Sequence, residues 1–410
     1  MMERTTLGEV LIDIQAGKSF LTAETIARPD ELGVLKVSAI TWSKFQSNEA
    51  KALKSHYEPA SSHRVRSGDL IISRANTKDF VGAVVLVDED YPNRLLSDKT
   101  LRLVVDDTQV SKEFLLYALR SKLARDHIEE LATGTSDSMR NISHGVIRSI
   151  PIPFTHIDTQ REIAVGLRAQ LAEVELARTA AIDQVRETRA LSNAIYRQAF
   201  RSISPIDVPP LAHEPPPGWR WRKLTDVARL ESGHTPSRLR PDWWGGDVSW
   251  LSLTEIRALD GKWVDETQLR TNLQGIANSA ARVLPRGTVC LSRTASVGFV
   301  AIMGKPMATS QDFANWVCGE DLYPDFLMHA LIRSRTALRD MAMGATHKTI
   351  YMPALESFHV CAPDIDEQKR IAYHLKRQLA EVGALDAALT QSTQDVSALP
   401  QRILASAFEM

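Results

Sequence analysis

The chain has 410 residues, 44% of them hydrophobic and 24% charged, with a formal net charge of -1. That length allows two or three domains, no run approaches the roughly eighteen apolar residues a membrane span needs, and no signal peptide is read at the start, so a soluble, cytoplasmic protein is expected. Near-neutral charge removes the simplest argument for nucleic acid, because a domain that binds DNA unaided usually carries a basic excess; any DNA role must rest on local patches or on a partner's charge. Cys290, Cys318 and Cys361 are far apart and lack ligand-like spacing with histidine, so neither a disulfide framework nor a zinc site is indicated.

In chain order, the first half opens with Leu7-Gly8-Glu9-Val10 and reaches Gly17-Lys18-Ser19. That triplet looks like the end of a phosphate loop, but the pattern requires a glycine where Ile12 stands. Pro29-Asp30 with Glu49-Ala50-Lys51 matches the loose acidic pattern of metal-dependent nucleases, but such short elements recur by chance, and a solvated loop and helix face is the reading preferred for them. Arg66-Ser67-Gly68-Asp69 predicts a turn before a buried strand that ends at Ser73-Arg74, Val81 to Val87 predicts another, and Leu103-Val104-Val105 a third. A helix is expected from Phe114, with Leu116, Leu119 and Leu123 on one face. The polar loop Thr133-Gly134-Thr135-Ser136-Asp137-Ser138 follows. Small hydroxyl residues around a glycine let backbone approach a phosphate or base edge, although the same composition describes any exposed turn.

The next segment occurs twice. Ile157-Asp158-Thr159-Gln160-Arg161-Glu162-Ile163 runs on to Ala199-Phe200, and Ile365-Asp366-Glu367-Gln368-Lys369-Arg370-Ile371 runs on to Ala407-Phe408, in gapless alignment. Asp158 and Asp366 are placed as N-caps of long helices. Leu375, Val382, Leu389, Val396 and Ile403 fall seven apart, with Leu385 and Leu399 beside them; Leu167, Val174, Ala181 and Ile195 form the corresponding row, and Thr188, Ser392 and Pro400 make the seam imperfect. A helix from Ile163 to Phe200 would be about 57 Å long, more than a small domain buries, and its natural partner is the other copy. An ordinary amphipathic helix lying on its own domain is the alternative.

Between the copies, Pro205, Pro209, Pro210, Pro215, Pro216 and Pro217 predict an extended, semi-rigid linker. The second half then echoes the first: Leu224-Thr225-Asp226-Val227 matches Leu7 to Val10, Arg286 to Arg293 matches the strand ending at Arg74, Phe326 to Leu331 matches Phe114 to Leu119, and Gly344 to Thr349 stands where the loop at Gly134 stood. The stretch from Gly233 to Asn278, with Trp243-Trp244-Gly245-Gly246 and Trp250, has little in common with Gly17 to Lys51. One frame with two divergent inserts suits two readers of different targets, and drifted copies of a structural domain would look similar.

These residues carry a family resemblance. Gly233-His234-Thr235-Pro236-Ser237-Arg238, Trp243 to Val248, the strand ends Ser73-Arg74 and Ser292-Arg293, Pro151-Ile152-Pro153 before Gln160 to Ile163, and Gln368-Lys369-Arg370-Ile371 together resemble the specificity subunit of type I restriction-modification systems. The resemblance spans the chain, with Cys361-Ala362-Pro363 departing from the usual proline-rich entry to the second helix. It implies an α+β fold: target-recognition domain 1 at 1–155, a central helix at 156–203, a Pro-rich linker at 204–217, target-recognition domain 2 at 218–363 and a distal helix at 364–410, the helices pairing as an antiparallel coiled coil with pseudo-twofold symmetry. It further implies a non-catalytic subunit that reads a bipartite site on double-stranded DNA from the major groove. The helices would hold the readers about one helical turn, roughly 34 Å, or somewhat more apart, and dock two methyltransferase subunits alongside restriction/translocase subunits. The chain itself would need no cofactor, with S-adenosylmethionine, ATP and Mg confined to those partners; it has no Asn-Pro-Pro-aromatic or Asp-Pro-Pro-Tyr tetrapeptide of its own. The expected DNA-facing residues are Lys18, Arg74, Thr135, Ser136, Thr235, Ser237, Arg238, Arg293, Thr346 and Lys348, since Arg and Lys suit guanine edges and phosphates. The expected partner-binding residues are Gln160, Arg161, Ile163, Leu167, Gln368, Lys369, Ile371 and Leu375, read as an exposed surface presented twice. A stand-alone metal-dependent nuclease and a helical scaffold unrelated to DNA are the competing classes.

Overall fold

The computed structural model describes residues 2–42, 44–54, 58–344 and 347–408. By contacts the chain divides into two units, one of Met1–Ile182 with Gln391–Met410 and one of Asp183–Thr390. Both divisions fall inside the long helices, so the Pro-rich stretch belongs to the second unit.

The first unit is built on four strands, β1 (Leu11–Ala16), β2 (Leu70–Ser73), β3 (Val84–Leu86) and β4 (Thr100–Val105), paired antiparallel in the order β1-β4-β2-β3. Leu101 stands opposite Ile72 and Leu103 opposite Leu70 and Ile14, so these side chains share one face. That face packs on α1 (Lys112–Arg120) and α2 (Lys122–Leu131) through Phe114, Leu115 and Ile128. The intervening residues Ile71 and Val85 point the other way, into a second core with Leu35, Ile40 and Ala50 of the insert. Burial on both faces is why Leu70-Ile71-Ile72 reads as an unbroken apolar run rather than an alternating one. The insert adds a separate sheet in which Thr22–Ile26, Ala50–Leu53, Gly33–Leu35, Tyr91–Leu95 and Arg64–Val65 pair in that order.

Two local expectations are corrected here. The helix from Phe114 is not continuous through Leu123, because Ser121 is extended (ψ 157°) and its hydroxyl donates to Ala118 O, separating α1 from α2. The polar loop at Gly134 is a hairpin, β5 (Thr133–Ser136) with β6 (Met139–Asn141), and β6 continues the pairing onto Ala75-Asn76.

Helix α3 (Ile157–Ala199) leaves the first unit and ends in the second. The second unit repeats the frame: β7 (Ala228–Ser232), β8 (Trp244–Leu251) and β9 (Leu269–Thr271) of the insert, then β10 (Val289–Ser292), β11 (Val300–Met303) and β12 (Phe313–Cys318), followed by α4 (Pro324–Arg333), β13 (His359–Ala362) and α5 (Ile365–Phe408). The central order is β7-β12-β10-β11, the same as β1-β4-β2-β3. Val289 and Leu291 join the helix-side core, and Cys290 and Met303 join Leu251 and Ile256 of the insert, so this sheet too is covered twice. Ile206-Asp207, at the head of the Pro-rich stretch, forms an edge strand on β13.

Each unit seats the start of one long helix and the end of the other. In the first, Ala164 and Leu167 share a core with Leu404 and Phe408, and the Phe408 ring meets Phe114 edge-on at 5.5 Å. In the second, Ala372, Leu375 and Val382 share a core with Ile195 and Phe200, and Phe200 lies 5.5 Å from Phe326, the counterpart of Phe114. Arg189 Nε donates to Asp386 Oδ1 across 3.1 Å. The row Leu167, Val174, Ala181, Thr188 and Ile195 is buried throughout, whereas Leu385 is 47% exposed. Neither expected aspartate is the cap. Asp364 accepts from the backbone of Asp366 and Glu367 at 3.2 and 2.9 Å, and His156 occupies the matching place before α3.

Candidate nucleic-acid interface

Antiparallel order places the C-terminal ends of β1 and β2 beside the N-terminal ends of β4 and β3, so one end of the sheet gathers several loops. There Gly17 N donates to Ser97 O at 3.2 Å, and a Cβ on Gly17 would stand 1.9 Å from Leu96 O, so only glycine lets the chain pass. Arg74 N donates to Lys99 O (2.9 Å), Ile142 N to Arg74 O (2.9 Å), and Lys78 N to Asp137 O (2.9 Å), which ties the end of β2 to the β5–β6 hairpin. Lys18, Lys78 and Lys99 are exposed around this seam of loops and Arg74 is half-buried. Ser136 Oγ lies 2.7 Å from Ser138 Oγ at the hairpin tip.

The second unit closes its loops in the same way. Gly233 passes Ser310 O where a Cβ would lie at 2.1 Å, and His234 N donates to Thr309 O (2.9 Å). Thr235 Oγ1 donates to Gln311 Oε1 at 2.5 Å. Ala295 N donates to Lys348 O (2.9 Å), and the Lys348 side chain is exposed. The turn before the third strand is braced by arginines from the helical layer in both units: Arg125 Nη1 donates to Val81 O (2.5 Å), Arg335 Nε to Gly298 O (2.7 Å) and Arg339 Nε to Val297 O (3.0 Å). Tryptophans dominate the insert. Trp244 and Trp250 meet edge to face at 5.0 Å, and a cleft of about 420 Å³ beside them is lined by Arg238, Gln268 and Arg270.

The expected DNA-facing residues therefore separate. Lys18, Arg74 and Ser136 gather at one sheet end, and Thr235, Ser237, Arg238 and Lys348 at the other. Arg293 Nε donates to Gln311 O (3.1 Å) and Nη1 to Ile350 O (3.3 Å), so part of the guanidinium clips two loops together. Arg238 lies over the rings of Trp244 and Trp250 at 5.7 and 6.0 Å, and Ser237 Oγ accepts from Leu239 N. Thr346 lies outside the described residues, as does the side chain of Thr135. Sequence reading missed Gln311, although Ser310-Gln311-Asp312 stands before β12 as Ser97-Asp98-Lys99 stands before β4. The acidic pattern at Asp30 and Glu49 is otherwise engaged, with Glu49 accepting from Lys36 Nζ (2.6 Å) and Ser38 Oγ (2.5 Å), bonds that hold its carboxyl below the usual range. No group of three metal-ligating side chains occurs among the described residues, and none of their helices is long and apolar enough to cross a membrane.

The partner-binding expectation also changes. Gln160 and Gln368 are fully buried, not exposed. Gln160 accepts from Ser111 N (3.0 Å) and donates to Gln109 O and Thr155 O, while Gln368 accepts from Tyr323 N (2.9 Å) and donates to Asp321 O and Pro363 O. Leu167 and Leu375 are buried and Ile163 and Ile371 half-buried, so of these eight residues the outward side chains are Arg161 and Lys369. One turn on, at matching positions of the repeat, Val165 and Tyr373 are 53% and 64% exposed.

Fold and loops define a duplicated mixed α/β protein in which one strand order carries two unlike inserts and long helices join the halves. Residues 216–387 match the family described as Type I restriction modification DNA specificity domain. The MjaIX specificity subunit of Methanocaldococcus jannaschii is 26% identical over 160 residues, and the EcoEI specificity subunit of Escherichia coli 29% over 147. These alignments cover 38% and 36% of this chain but only 37% and 25% of the relatives. The HindI specificity subunit of Haemophilus influenzae is 20% identical over 69% of this chain and 73% of its own. Among solved structures, a chain from work on complex assembly and conformational transition of the type I R-M system superposes with a TM-score of 0.76 at 20% identity, covering 99% of this chain and 97% of that one. The HsdS subunit from Thermoanaerobacter tengcongensis gives 0.59 at 21%, covering 99% and 96%. Residues 216–387 thus carry the type I restriction modification DNA specificity domain match, and the relatives this chain aligns with are specificity subunits of type I restriction enzymes.

Proposed function

We propose that this chain is the non-catalytic DNA-reading subunit of a type I restriction-modification complex. Each unit reads one half of a bipartite site through the loops at its sheet end. The two long helices pair antiparallel with pseudo-twofold symmetry, and the subunit directs two methyltransferase subunits and the restriction/translocase subunits to the site. S-adenosylmethionine, ATP and Mg act in those partners. The observation that carries this reading is one strand order and one set of loop closures in both units, combined with inserts of different architecture. A shared frame fixes position while divergent loops supply different base contacts, which is how positioning and specificity separate on DNA. A net charge of -1 suits a subunit whose partners supply part of the phosphate neutralisation. The stand-alone nuclease finds less support, since Glu49 is held by Lys36 and Ser38.

Because Val165 and Tyr373 recur at matching positions beside Arg161 and Lys369, they supply the same partly apolar surface twice. Native mass measurement of the chain purified with its methyltransferase is expected to give two methyltransferases per chain. One per chain at saturating partner would contradict the proposal.

A further inference from the structure

The loop leaving β7 carries a highly exposed apolar side chain. Leu239 is 91% exposed, while both neighbours are pinned. Arg238 lies over Trp244 and Trp250, and Arg240 makes bonds of 3.0 and 2.8 Å to Asp242 and sits 5.0 Å over Trp243. Beneath them, Trp244 Nε1 donates to Ser237 O (3.3 Å) and Trp250 Nε1 to His234 O (3.2 Å). Arg240 N donates to Ser237 O (3.2 Å), Trp243 N to Arg240 O (3.0 Å), and Asn272 Nδ2 to Asp242 O (2.7 Å). Thr235 and Gln311 join this loop to the rest of the cluster. The tip is thus braced, and a leucine held in water by a braced loop gains nothing from folding; its apolar surface is recovered only when something covers it.

On the reading that this sheet end faces DNA, the covering group follows from the chemistry of base edges. In the major groove the one apolar group is the thymine 5-methyl. We propose that Leu239 selects thymine in the second half-site by packing on that methyl, with Arg238 and Arg240 holding the tip rather than reading guanine.

The test uses the full chain copurified with its methyltransferase, on duplexes carrying the methylated motif found in the host genome. Thymines of the second half-site are replaced one at a time by deoxyuridine, which lacks the methyl. One position is expected to weaken binding about fourfold, the effect of one buried methyl. Leu239→Ala should weaken binding to the thymine duplex and bring the thymine-to-uracil ratio there to one. Leu273→Ala removes another leucine, 76% exposed on the short helix that follows Asn272, and should preserve the ratio. Affinity unchanged by every replacement, as for a wedge between base steps, overturns the assignment, as does a ratio that survives Leu239→Ala. A complex that binds unrelated DNA as tightly as its motif overturns instead the reading of the chain as a DNA reader.

Discussion

Gln160 and Gln368 each satisfy three backbone groups with one buried amide, fastening the first turn of a long helix to its own unit. Gln160→Ala would leave Ser111 N, Gln109 O and Thr155 O unpaired, and a loss of about 2–3 kcal/mol is expected, read by urea unfolding. Arg161→Ala on the exposed side should stay within about 0.5 kcal/mol. A second buried fastener titrates. His329 Nδ1 lies 3.0 Å from Tyr196 Oη, and burial pushes the imidazole down to about 4, with Lys376 lowering it further and Asp325 opposing. Above pH about 6.5 neither the folded nor the unfolded chain binds this proton. Between 6.5 and 4 the unfolded chain binds it and the folded chain does not, so stability falls as pH drops through that window, by about 2 kcal/mol between 6.5 and 5. His329→Gln should flatten this part of the decline in urea unfolding measured at pH 7 and 5; an unchanged slope would show that the histidine is not held neutral.

At the scale of elements, the long helices carry two kinds of apolar position. Leu375 is 1% exposed in the core of the second unit, and Leu375→Ala should cost about 2–5 kcal/mol, whereas Leu385→Ala should be nearly silent in the isolated chain. Val165→Asp and Tyr373→Asp lie on exposed surface and should leave the melting temperature within a degree or two while weakening methyltransferase capture by pull-down. Melting that falls with capture would mean that these residues serve the fold. The buried row Leu167 to Ile195 was legible in the sequence because apolar residues seven apart share one face of a helix, and the strands were legible because unbroken apolar runs suit sheets covered twice. The glutamines were not legible: an amide in a helical first turn looks like surface, and its burial depends on where Ser111 and Tyr323 arrive from distant sequence. The bracing by Arg293 was not legible for a related reason, since Gln311 O and Ile350 O reach it from two other loops.

At the scale of the whole chain, the repeated strand order and the unlike inserts make a prediction that no single residue can. If each unit reads one half-site, the two halves of the recognised sequence are independent. Replacing residues 1–155 by the corresponding domain of a relative, and sequencing methylated adenines in cells that carry the chimera, tests this most directly. The account predicts a motif in which one half changes to that of the donor while the other half and the spacer between them stay as they were. A motif in which both halves or the spacer change would contradict it.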